Sequence, residues 1–461
     1  MISRFHLFSR VVVAWAALML AGLATAANPV ETTLANGLRV IVHEDHRAPT
    51  VVAMVWYRAG SIDEVNGTTG VAHVLEHMMF KGTKIVPPGE YSRIIAAAGG
   101  RDNAMTSRDF TAYHVQLHKS QLELALKLEA DRMVNLQLTD EEFAKEIKVV
   151  MEERRLRTED RASGLLFEQL MASSLTANPY RTPVIGWMDD LINMRPQDAR
   201  DWYNNWYAPN NAVLVVVGDV AAQEVFALAQ KYFGPLAMKT LPVRKPQTEP
   251  AQTGQRRVTV KAPAELPSVL MVWPVPVIRD PATDREPYAL EVLGGILDGN
   301  GAARLPSKLV REEKMATSVG ASYDSTIRGP GQFYLSGTPV AGRSVAEIEQ
   351  ALKRELQRVA DEGVTAEELN RVKAQVMAAQ VFQRDSMFYQ GMQIGMLEMA
   401  GISHTSVDLQ LERLRAVTAA EVQAVARKYF IDDRLTVATL DPQPLSGSKP
   451  AAPSAGVRHA Q

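Results

Sequence analysis

Two histidines and a glutamate stand at His73, Glu76 and His77, inside the stretch GVAHVLEHMMFKGT of residues 70–83. In a helix, residues four apart share a face, so His73 and His77 would offer two imidazoles to one ion at metal–nitrogen distances of about 2.0–2.1 Å. Glu76 is adjacent to His77 and lies beside that face rather than at its centre. From there a carboxylate reaches a water on the metal instead of the metal itself, which is where a general base is needed. The order is H-x-x-E-H, with the glutamate before the second histidine. Thr68 and Thr69 are placed to cap the start of such a helix and Gly82 to end it.

Two histidines leave a hydrolytic zinc site one protein ligand short, because such sites use three and keep the fourth position for water. A structural site would want four, usually with cysteines, and the chain has none. A carboxylate must therefore come from elsewhere. The segment TDEEFAKEIKVVMEERRL reads as a helix opened by Thr139, with Glu142 three residues on in the capping-box pattern and an apolar stripe of Phe143, Ile147, Val150 and Met151. At 100° per residue, Glu146 and Glu153 fall within about 20° of each other beside that stripe, whereas Glu152 points away from it. Geometry thus selects Glu153 or Glu146 over Glu141, Glu142 and Glu152.

The elements that must hold these residues are spread over 461 residues, 46% hydrophobic and 22% charged, too many for one compact core. The formal charge of -2 provides no basic field for nucleic acid. Residues 1–26 combine Arg4 and Arg10, an apolar run of about 13 residues from Val11 to Leu23, and Ala24-Thr25-Ala26. This is the pattern of a cleaved secretory signal peptide, and the run is too short to span a bilayer. With no cysteine there is no disulfide framework or lipid attachment, and the reading is a soluble periplasmic protein without a stable membrane span.

A Pro-, Lys- and Gln-rich passage from Gly234 to Gln255 reads as a connection, with the linker proper at 241–255, and the chain from Pro442 to Gln461 reads as a disordered tail. The regions between, 27–240 and 256–441, look like versions of each other. RPQDARDWYNNWYAPNNAVLVVVGDV (195–220) aligns without a gap with TAAEVQAVARKYFIDDRLTVATLDPQ (418–443). Both regions open with two alternating strands around a Pro-containing turn, from Leu38 and from Arg256. The predicted class is α+β: two homologous domains, each a mostly antiparallel sheet packed with helices. His43, His46, His114 and His118 read as surface residues rather than ligands.

His73, Glu76 and His77 followed by a glutamate 76 residues after His77, together with GSIDEVNGTTGVAHVLEHMMFKGT, GGRDNAMTSRDFTAYHV, NPYRTPVIG and YAPNNAVLVVVGD in that order, resemble the pitrilysin family of inverted-zincin peptidases. The likeness runs over nearly the whole mature chain. It implies one zinc per chain held by His73, His77 and Glu153, with Glu76 as general base and Glu146 behind the ligands. It also implies that the backbone at Asn103 and Ala104 pairs with an extended peptide substrate as an added strand, in a clamshell chamber of four related domains, so that two-domain chains associate as homodimers or heterodimers. The family's second half carries an Arg and, seven residues later, a Tyr that reach the scissile bond. Here Arg311 fits, but Ser318 stands at the second position. The resemblance therefore implies a partner bearing both residues. The competing reading is a non-catalytic chamber subunit or peptide-binding scaffold of the same fold.

Overall fold

The computed structural model describes residues 28–445, so the leader read at 1–26 and most of the C-terminal tail lie outside it. Pro442 and Gln443, assigned to the tail from sequence, instead complete a strand. Among the described residues eleven strands form two sheets. The first is built from β1 (Val30–Thr33), β2 (Arg39–Glu44), β3 (Thr50–Tyr57), β4 (Arg101–Thr106), β5 (Thr111–His118) and β6 (Ala212–Gly218) in the order β1-β2-β6-β3-β5-β4. The second is built from β7 (Arg256–Pro263), β8 (Ser268–Val275), β9 (Ala316–Tyr323), β10 (Gly331–Pro339) and β11 (Thr436–Gln443) in the order β7-β11-β8-β10-β9. Apart from β1 the orders match strand for strand, and in each sheet one pair, β2–β6 and β7–β11, is parallel and the rest antiparallel. The two strands read from Leu38 onward and the two from Arg256 onward do not pair with each other: β6 lies between β2 and β3, and β11 between β7 and β8.

The helices that position the site, join the halves or mark the repeat are α1 (Val71–Met78), α2 (Asp140–Arg154), α3 (Ala162–Ser174), α4 (Pro196–Trp206), α5 (Met387–Ala400) and α6 (Ala419–Tyr429). The helices α4 and α6 are the aligned repeats, and each leads through one short 3-10 turn into the strand that inserts between its sheet's two opening strands. One face of the first sheet, with Val40, Val42, Val55 and Val216, packs under α1 and α2 around Val74, Leu75, Met78, Phe143 and Val150. The central strands β3 and β6 are apolar at nearly every position because both of their faces are covered.

The second face of each sheet is covered by a helix from the other half. Met387, Ile394 and Met399 of α5 lie on Ile41, Val52, Met54, Trp56 and Val215 of the first sheet. Reciprocally, Leu166 and Leu170 of α3 lie on Val260, Val272, Ala438 and Leu440 of the second. The halves are thus joined by exchanged helices and not only by the connecting passage. That passage, which has no helix or strand from 237 to 255, is itself fixed. The Glu249 carboxylate accepts the backbone N–H groups of Thr176, Ala177 and Asn178 at 2.5–2.9 Å.

Candidate metal centre

Helix α1 is short and fully buried, and its start is not capped by Thr68 or Thr69 as the sequence suggested. Gly70 occupies the N-cap in a left-handed conformation (φ +87°), and a side chain there would meet the Ile185 carbonyl at 2.5 Å. The helix donors Gly70 N–H and Ala72 N–H are taken by the two oxygens of Glu64, each at 2.9 Å. Burial pushes the Glu64 carboxyl up to about 8 in spite of these donors. The Thr69 hydroxyl is used elsewhere, bonding Asp190 and accepting the Trp187 N–H. At the other end the helix stops at Met78, four residues before Gly82.

Helix α2 begins at the Thr139 cap, whose hydroxyl accepts the Glu142 N–H at 3.2 Å. The reciprocal arm of the capping box is not made, since the Glu142 carboxylate turns to Lys145. Phe143 and Val150 bury its apolar face, and this phase carries Glu146 and Glu153 to the histidines. Glu152 is exposed and pairs with Arg155.

His73, Glu76 and His77 are all buried. The Glu153 Oε2 atom is 3.3 Å from His77 Nε2 and 3.8 Å from His73 Nε2. Among the described residues these three form the one cluster of His, Asp or Glu whose ligand atoms all lie within 4.8 Å of one another. Donors about 2.1 Å from a tetrahedral ion are about 3.4 Å apart, so one N, N, O set of this size fits zinc. His77 Nδ1 donates to Glu146 Oε1 at 2.9 Å, which fixes the tautomer and turns Nε2 toward Glu153.

Charge argues in the same direction. Burial pushes the His77 imidazole down, but bonding to Glu146 and Glu153 outweighs it and holds the ring at about 9. Burial pushes Glu153 up, yet His77, the charge of His73 and Arg157 hold its carboxyl at about 2. Three carboxylates around two imidazoles make a pocket in which a divalent cation replaces the protons that would otherwise be needed. Burial raises the carboxyl of Glu76 above the ordinary range, and the Thr106 hydroxyl donates to it.

Thr106 ends β4, the edge strand that carries Asn103 and Ala104 and pairs only with β5 among the described strands. Arg311 lies in a different place, exposed in a π-helical turn (Pro306–Glu312) of the second half. Ser318 is exposed on β9, the equivalent edge strand of the second sheet. Of the other histidines, His46 and His118 are exposed. His43 and His114 are half-buried rather than on the surface, with His114 4.9 Å from the Phe388 ring. Three neighbours of the centre were not picked out from sequence. Thr106 reaches it only through tertiary packing. Lys81 bonds Glu146 and Arg157 bonds Glu153, and each stands four residues beyond a residue that was selected, His77 and Glu153, a spacing that brings helix neighbours together.

Known proteins resemble this chain across both of its halves. Residues 39–186 match the model of the insulinase family, peptidase family M16, and residues 193–376 match the Peptidase M16 inactive domain. The zinc protease PqqE of Helicobacter pylori is 33% identical over 351 residues, covering 74% of this chain and 77% of that protein. The crystal structure of a protease from Helicobacter pylori superposes with a TM-score of 0.85 at 28% identity, over 90% of this chain and all of the other. The periplasmic protease PqqL of Escherichia coli shares the fold at 20% identity and a TM-score of 0.76, this chain spanning 49% of its length. A relative one-third identical over most of both chains, with M16 models matching both halves, makes this chain a member of peptidase family M16.

Proposed function

We propose that the chain is a zinc-dependent endopeptidase that hydrolyses peptides or small unfolded proteins, with one zinc held by His73, His77 and Glu153. The observation that carries this reading is the convergence of those three side chains from two separate helices, with Glu76 beside them. Bound zinc supplies a Lewis acid for the scissile carbonyl and lowers the pKa of water to about 7. Glu76 takes the proton from the attacking water and passes it to the leaving amine, oriented by Thr106. Glu146 holds His77 in the required tautomer. The open edge of β4, at Asn103 and Ala104, pairs with substrate backbone, which selects extended chains with little regard to sequence.

The setting proposed is the periplasm, after removal of residues 1–26, and among the described residues no helix is long and apolar enough to cross a membrane. The chain forms half of a clamshell chamber and acts as a homodimer or with a homologous partner. Ser318 favours the second arrangement. A partner would supply the tyrosine missing here, and one donor to the developing oxyanion is worth about 3 kcal/mol. The test is a peptidase assay with metal analysis on the purified mature protein, with and without candidate partners. Zinc-dependent hydrolysis that rises with a tyrosine-bearing partner, or with Ser318→Tyr, is expected. Full activity of the chain alone, unchanged by a partner and by Arg311→Ala, would reject the heteromer and leave the zinc mechanism standing. Absence of zinc and of hydrolysis in every combination would reject the peptidase and favour a peptide-binding scaffold.

A further inference from the structure

Glu146 and Glu153, the two carboxylates that meet His77, are each held at both oxygens. Glu146 Oε1 meets His77 Nδ1 at 2.9 Å, and its Oε2 meets Lys81 Nζ at 2.5 Å. Glu153 Oε2 faces the two Nε2 atoms, and its Oε1 meets Arg157 Nη1 at 2.7 Å. Arg157 does not extend a regular α-helix. The chain leaves α2 through a π-helical turn, Arg155–Glu159, a rare form that occurs mostly as single turns within α-helices.

That turn is fastened from outside. Arg154 forms a buried two-point ion pair with Glu168 of α3 at 2.7 and 3.1 Å. Gly164 of α3 lies so close that a Cβ there would come within 2.7 Å of the Arg157 carbonyl oxygen. Since α3 is the helix that packs on the second sheet, the position of Arg157 is set by the joining of the two halves.

We propose that Arg157 is a positioning residue for the metal centre: by occupying Oε1 of Glu153 it leaves Oε2 alone to face the ion. This rests on the zinc reading given above. A carboxylate tied to a guanidinium at one oxygen does not close both oxygens onto a metal. One coordination position therefore stays open, as a hydrolytic site requires. Sharing its charge with Arg157 also makes Glu153 a weaker donor, so the ion keeps more of its positive charge. Lys81 treats the far oxygen of Glu146 in the same way. As a surface ion pair this contact would count for little, because the Arg157 side chain is 58% exposed. Its partner, at 14%, is largely shielded, and its orientation is what matters. Arg155 provides an internal comparison, being a cation in the same turn that pairs with exposed Glu152 and not with the centre.

The experiment measures zinc affinity by chelator competition and the visible spectrum of the Co(II)-substituted full chain, for the native protein, Arg157→Met, Arg157→Lys and Arg155→Met. With the second oxygen of Glu153 freed and a neighbouring positive charge removed, Arg157→Met should bind zinc about 10-fold more tightly. Its Co(II) bands should lose intensity as Glu153 closes with both oxygens and the coordination number rises. Arg157→Lys should restore most of both properties, and Arg155→Met should match the native chain. Native or weakened affinity with an unchanged Co(II) spectrum in Arg157→Met, or a change no larger than in Arg155→Met, would overturn the proposal. A changed KM with native metal affinity would also overturn it, since the guanidinium would then be reading substrate. A native chain that takes up neither zinc nor cobalt overturns the site itself, and is distinguished by failing before any substitution is made.

Discussion

Replacing Gly395 by alanine should loosen the docking of the second half onto the first. Gly391 and Gly395 are one helical turn apart on the face of α5 that lies against the first sheet. A Cβ at position 395 would stand 2.0 Å from Trp56 Cε2 and 2.3 Å from Cζ2. Trp56 is fully buried on β3, which is paired on both sides, and its ring is 4.8 Å from that of Phe110, so the ring has nowhere to go. To restore ordinary contact at 3.4 Å, α5 must retreat by about 1.4 Å. A gap of that size forfeits a large part of the dispersion energy across Met387, Ile394 and Met399. The upper end of the usual overpacking cost, about 3 kcal/mol, applies. Alanine's better helix propensity returns about 1 kcal/mol, for a net loss of about 2 kcal/mol. Gly391→Ala is the contrast, because its Cβ would come 3.0 Å from the sulfur of Met54, a flexible side chain that can yield. That variant should be neutral or slightly more stable. Urea unfolding followed by tryptophan fluorescence reads both. Equal stability of the two variants, or a native-like Gly395→Ala, would refute the close packing of α5 on Trp56.

Two further outcomes concern the centre and the joint between the halves. In metal-binding assays Glu153→Gln should cost zinc affinity heavily and Glu146→Gln about 10–100-fold, while exposed Glu152→Gln should do little. Glu398, buried at the end of α5, is pushed up by burial but held at about 2 by His404 and by Arg39 of β2. A depressed carboxyl contributes stability above its unfolded pKa of about 4.5 and loses it as pH falls through about 2. Glu398→Gln should therefore cost on the order of 2 kcal/mol at neutral pH and flatten acid unfolding between about pH 5 and pH 2, as read by pH-dependent thermal melts.

What could be read from sequence was whatever rests on local spacing. The four-residue step from His73 to His77 and the seven-residue step from Glu146 to Glu153 are properties of one helix each, and the structure brings all four side chains together. The gapless match of 195–220 with 418–443 corresponds to equivalent helices and strands, but the alignment could not say that each strand inserts between two others. Caps were misread where the donor's partner is remote in sequence or space: Glu64 reaches α1 from six residues before Gly70, while Thr69 is drawn away by Asp190. The exchange of α3 and α5 between halves was not legible either. Leu166, Leu170 and Ile394 declare apolar faces without declaring which sheet they cover.

If His73, His77 and Glu153 hold a zinc at which Glu76 acts as the base, metal content and turnover must separate when Glu76 alone is changed. Bound zinc and peptide hydrolysis are therefore measured together in the native chain and in Glu76→Gln, under whichever partner condition supports turnover. About one zinc per chain is expected in both proteins, with a fall in turnover of at least about 100-fold in the variant. Undiminished hydrolysis by Glu76→Gln, or native hydrolysis by a chain that carries no zinc, would contradict this assignment.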